Sequence, residues 1–141
     1  MKRALVLLAG LALAFTTLAC QGNVFSLKVG DCFNGSATGE VTDVATIDCA
    51  QAHDDEVFYI FNYPNAPSSY PGADAIRTAS ETGCKAQFAD FVGLDFDSSV
   101  YGLSWLSPTE KGWGTGDRAI QCLVTAETGS KLTGSVKGTK K

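Results

Sequence analysis

The chain has 141 residues, 45% of them hydrophobic and 18% charged, which suits one folded domain and excludes a disordered chain. Eleven Lys and Arg against 15 Asp and Glu give a net charge of −4, which argues against a general nucleic-acid binder. A single His excludes sites built from several imidazoles.

The N-terminus reads as an export signal. Lys2 and Arg3 precede an uncharged run from Ala4 to Ala19. A membrane-spanning helix needs about 20 apolar residues, and this run is shorter and closes on small residues, as a cleavable signal over 1–19 does. Thr17-Leu18-Ala19-Cys20 resembles a bacterial lipobox, whose Cys is acylated and becomes the first mature residue. An ordinary signal-peptidase site would cut the same bond and release a secreted protein. Setting Cys20 aside leaves Cys32, Cys49, Cys84 and Cys122, an even set that reads as two disulfides in an oxidising compartment. The expectation is therefore an extracytoplasmic domain held to the membrane by a lipid on Cys20, with residues 20–28 as a short tether. Without Lys2 and Arg3, nine basic residues face 15 acidic ones, so the tether and not the protein surface would hold it near anionic headgroups.

The mature chain gives one domain over 29–136. Val29–Phe33 reads as a short strand that ends at the turn-forming Asn34-Gly35. Val41–Cys49 is β-branched and reads as a second strand. Glu56–Tyr63 is the strongest strand, with Val57, Tyr59 and Phe61 expected on one face and Phe58 and Ile60 on the other. Apolar residues on both faces place it centrally. Pro71 is expected to open a helix at its first position. Ile76, Ser80, Cys84, Phe88 and Phe91, with Val92 beside them, form a stripe at helical spacing, and Gly93 is the expected C-cap. Val100–Leu106 and Arg118–Thr125 read as two further strands, the second with Ile120, Cys122 and Val124 on one face. A last short strand is expected within Lys131–Val136, followed by a frayed tail at 137–141.

One helix cannot alternate with parallel strands. The expected fold is α+β, a mainly antiparallel sheet with one long helix packed on one face. Four cysteines allow three pairings. Cys32–Cys49 with Cys84–Cys122 is favoured, because the first would tie adjacent strands and the second would pin the helix to the sheet. The main competitor is Cys32–Cys122 with Cys49–Cys84.

Candidate chemistry is sparse. His53 stands beside Asp54, Asp55 and Glu56 at the mouth of the strongest strand. A general base or metal ligand is the functional reading of that group; a His fixing the turn into the strand is the structural one. The cysteines are consumed in disulfides, so no metal site and no cofactor are expected. Asp95-Phe96-Asp97 lacks the glycine and the bidentate Glu of a calcium loop and reads as a solvated turn. Gly112–Arg118 is glycine-rich but precedes a strand, so it reads as a loop and not a phosphate cradle. Its Trp113 is either folded onto the core or an exposed partner anchor. His53, Asp54, Glu56, Trp113, Asp117 and Arg118 are the candidate binding residues. No catalytic set is assigned.

Several of these residues recur together in a known family. Gly30-Asp31-Cys32-Phe33, a Val-rich strand closing at Cys49, and His53-Asp54-x-Glu56-Val57 resemble the opening of the actinobacterial septum formation domain. Tyr70-Pro71-Gly72, Cys84, Phe88, Gly93, Pro108-Thr109-x-x-x-Trp113-x-x-Gly116-Asp117-Arg118, Cys122 and Gly134–Gly138 resemble its remainder. The departure is Ala52, where that family usually has Pro. The resemblance implies a secreted or membrane-tethered domain linked to division septa, with an envelope or division protein as partner and no established activity. A hydrolase or metal-dependent enzyme using His53 and its neighbouring carboxylates is the alternative.

Overall fold

A computed structural model describes residues 22–23, 26–35, 41, 43–127 and 129–141. The signal segment and Cys20 lie outside these residues. The strands are β1 (Gly22–Asn23), β2 (Cys32–Phe33), β3 (Asp43–Val44), β4 (Thr46–Ile47), β5 (Asp55–Asn62), β6 (Gly102–Leu106) and β7 (Ala119–Thr125). The helices are α1 (Ala73–Val92) and α2 (Glu110–Gly114). Five strands form one antiparallel sheet in the order β4-β2-β5-β7-β6, and β1 pairs with β3 beside it. The α+β reading holds, with β5 between β2 and β7.

The sheet has a core on each face. On the α1 face, Phe58, Cys84, Phe88, Phe91, Val92, Ile120, Cys122 and Val124 pack together. On the other, Leu27, Phe33, Val44, Val57 and Leu123 do so. The α1 stripe is buried as its spacing predicts. Gly93 closes the helix at φ 85°, ψ 14°, donating its N–H to the Ala89 carbonyl, a conformation that costs a residue with a Cβ. The helix begins later than the sequence suggests. Ala73 is its first residue, and Pro71 precedes the N-cap Gly72.

Both favoured disulfides form, Cys32–Cys49 and Cys84–Cys122. The first links β2 to the turn after β4. The second joins the buried stripe of α1 to the centre of β7, and both its cysteines are fully buried.

Further expectations need correction. In β5 the register slips between Val57 and Tyr59, so Phe58 is an extra residue opposite β7. Strict alternation therefore fails: Phe58, Tyr59 and Phe61 join the α1-side core, while Val57 and Ile60 face the other. The expected strand Val41–Cys49 is two short strands, because β3 pairs outward to β1 and β4 inward to β2. The glycine-rich segment includes α2, whose N-cap Thr109 accepts from the Gly112 N–H through its side chain. The 20–28 tether is partly built into the domain, with β1 paired to β3 and Leu27 buried. Finally, 137–141 is not frayed. The N–H groups of Gly138 and Lys140 donate to the carbonyls of Phe91 and Val92, at the otherwise unsatisfied end of α1. The Ser99 hydroxyl donates to the Lys141 carbonyl at 2.6 Å.

Candidate functional site

The segment from His53 to Glu56 enters β5 beneath a C-terminal strap. The expected strand at 131–136 reduces to one bridge, in which His53 and Leu132 exchange N–H and carbonyl at 3.0 and 2.8 Å. This crossing encloses the imidazole completely. Its Nδ1 lies 2.8 Å from the Gln51 carbonyl, which only accepts, so Nδ1 carries the proton. The ring thereby braces the turn into β5, and Nε2 is buried without a hydrogen-bond partner among the described residues.

The three carboxylates take different environments. Asp54 accepts from Lys131 Nζ at 2.6 Å and from the Gly35 N–H at 3.1 Å. The Lys131 contact, reinforced by the Gly35 N–H, holds its carboxyl below the usual range despite partial desolvation. Lys131 also donates to Asn34 Oδ1, so one ammonium ties the β2 turn, the β5 entry and the strap. Asp55 is pushed up to about 6, mainly by burial and then by the Asp54 charge, against the pull of Lys131. Glu56 is fully buried. One of its oxygens accepts from the Ser135 hydroxyl at 2.5 Å and the other from the Val136 N–H at 2.8 Å.

The group nearest to a metal-ligand set among the described residues is Cys32, Cys49 and Glu56, with ligand atoms within 4.8 Å of one another. Its sulfurs are bonded to each other and both carboxylate oxygens accept hydrogen bonds, so it does not present the thiolates a soft metal takes.

Trp113, Asp117 and Arg118 form a second, separate corner. Trp113 is buried, against the edges of Tyr63 and Tyr70 at 5.4 and 5.9 Å. The Arg118 guanidinium lies 3.8 Å over its ring and donates to the Trp113 carbonyl. Asp117 Oδ1 accepts from the Ala119 N–H and starts β7. These contacts place Trp113 in the core. The sequence alone did not bring Arg118 onto it, although a cation two residues after a glycine-rich bend was visible.

An open groove of about 600 Å³ lies elsewhere, between Phe61 at the end of β5, Tyr63 and Pro64 just after it, and Asp74, Thr78, Ala79, Thr82 and Gly83 of α1. Strand rise puts it roughly 25 Å from His53. A Cβ on Gly83 would lie 2.3 Å from Phe61 Cζ, so the bare glycine lets the ring lie on the helix. Sequence reading did not find this groove. Its floor is the Ala75-Ala79-Gly83 run, small residues four apart on α1, which is legible as a low ridge once α1 is drawn.

No helix among the described residues is long and apolar enough to cross a membrane. The chain is 29% identical over 117 residues to proteins named "Putative lipoprotein LppN" from Mycobacterium tuberculosis and Mycobacterium bovis. That similarity covers 79% of this chain and 63% of each relative, so the chain spans less than two thirds of their length. No solved structure matches it. The model of the family described as Septum formation matches residues 29–141, from the approach to Cys32 to the strap over Glu56. The match takes in both disulfides and the enclosed His53, and the chain belongs to the septum formation family.

Proposed function

We propose that the protein is a non-enzymatic docking domain of the bacterial cell envelope, linked to septum formation and held outside the cytoplasmic membrane by a lipid on Cys20. One observation carries the reading. The only His is buried beside the C-terminal strap together with Asp55 and Glu56, leaving only Asp54 of its neighbouring carboxylates partly exposed, while an open apolar groove lies remote from them. A general base must reach the proton it abstracts, and an imidazole with no exposed atom does not. The groove instead offers aromatic rings over a low helical ridge, surface of the kind that partners cover. Family membership and the lipoprotein-named relatives support the envelope setting.

The test is retention of an envelope partner from native extracts by the purified domain, and its loss with Thr82→Arg, a change on an exposed residue of the groove. Hydrolysis of a cell-wall or ester substrate that disappears with His53→Ala would overturn the proposal in favour of an enzyme. Intact mass of the membrane-extracted chain, against a Cys20→Ser variant, reads the lipid directly. An unmodified native mass would refute the anchor.

A further inference from the structure

β6 is the outer strand of the five-stranded sheet, paired with β7 along one side over five residues. Among the described residues, no hydrogen bond outside that ladder reaches residues 102–106. Half of the strand's backbone N–H and carbonyl groups therefore face outward without a partner among the described residues. Edges of this kind are usually guarded by Lys, by Pro, by a bulge or by brevity. This one has none of those guards. Gly102-Leu103-Ser104-Trp105-Leu106 is uncharged and half-buried throughout, and its register with β7 is unbroken. The whole run 98–109 carries no charge, in a chain with 18% charged residues. Val100, at its entry, is 64% exposed and, among the described residues, one of two exposed large hydrophobics. The opposite edge, β4, is two residues long.

We propose that β6 pairs antiparallel with β6 of a second copy of this chain about a twofold axis at Ser104, joining two five-stranded sheets into one of ten strands. The residue pattern fits itself under that rotation. Leu103 falls opposite Trp105 of the second copy, both on the α1 face, where each already packs against the core. Gly102 falls opposite Leu106 of the second copy, a missing side chain beside a large one. The domain is acidic overall, so the neutral edge is where two copies meet with least repulsion. Five paired residues bury less than the roughly 1,200 Å² of a stable interface, so the dimer is weak and reversible. The inference does not depend on the docking function or on the lipid, although a shared membrane would raise the local concentration.

Sedimentation of the native domain from about 10 µM to about 1 mM is expected to show reversible dimerisation. Ser104→Lys and Ser104→Glu each place like charges across the axis and are expected to weaken it tenfold or more, while an equal mixture of the two restores it. Hydrogen exchange on the unmodified chain gives an independent reading, with amides within 102–106 gaining protection as concentration rises. A chain monomeric throughout, a dimer that both variants leave intact, or a dimer with these amides unprotected would each overturn the proposal. Binding of an extended peptide along β6 without self-association would also overturn it, in favour of strand addition by another protein.

Discussion

Glu56 holds the backbone of Val136 80 residues away, its Oε2 accepting from the Val136 N–H at 2.8 Å inside the protein. Oε1 takes the Ser135 hydroxyl, so one buried carboxylate fastens the strap to the central strand. Glu56→Ala leaves a buried N–H unpaired beside a cavity and is expected to cost about 3 kcal/mol or more. Glu56→Gln retains an acceptor for Val136 and gives Ser135 a donor, so a loss nearer 1 kcal/mol is expected. Denaturant unfolding measures both, and faster exchange at the Val136 amide in Glu56→Ala localises the effect to the strap.

The two disulfides differ in accessibility. Cys84 and Cys122 are fully buried, whereas Cys49 is partly open to solvent. A mild dithiol reductant under native conditions is expected to open Cys32–Cys49 first, which alkylation and peptide mass analysis would reveal. Chain entropy assigns about 3 kcal/mol to the shorter loop and about 4 kcal/mol to the longer. Removal of Cys84–Cys122 by paired Ala substitution is therefore expected to lower the unfolding midpoint more.

Much of this architecture was legible because it is local. The helix stripe from Ile76 to Val92 needs only a period of 3.6, and Gly93 only the preference of an αL cap. Reading failed where distant groups decide the outcome. The Phe58 bulge is set by pairing with β7, which alternation within β5 cannot show. The tail at 137–141 has the composition of a frayed end, yet its backbone amides cap α1. The same limit applies to the candidate site. For His53 beside three acids the sequence offers a chemical and a structural reading and favours the structural one, and the crossing at Leu132 is what shows that ring to be enclosed. The α2 helix was the exception, since Pro108-Thr109-Glu110 carries a start signal that Gly112 and Gly114 obscured.

Gly93 joins helix and strap. A Cβ there would be 3.0 Å from Lys140 Cγ, at a φ of 85° that L-residues rarely adopt. Gly93→Ala is expected to cost about 1 kcal/mol through backbone strain, with a further loss if Lys140 is displaced. Gly93→Asn, which tolerates this region better, should recover part of it. Thermal melts of the two variants against the native chain check the order.

Asp55 gives the fold a pH dependence of unusual sign. Its folded value of about 6 lies above the ordinary Asp value of 3.8, so the folded state holds a proton that the unfolded chain has released between these values. The protonated side chain stabilises the fold at low pH, and that contribution fades as pH rises through about 6. Asp54 acts oppositely: its lowered value adds stability above the ordinary carboxylate range, lost as pH falls below it. Asp55→Asn removes the buried charge and keeps the shape. It is expected to stabilise the protein by on the order of 1–2 kcal/mol at pH 8, with the gain vanishing near pH 4. Denaturant midpoints of the two proteins across that range test the sign, and a gain equal at both ends would show that burial of the Asp55 charge is not its source.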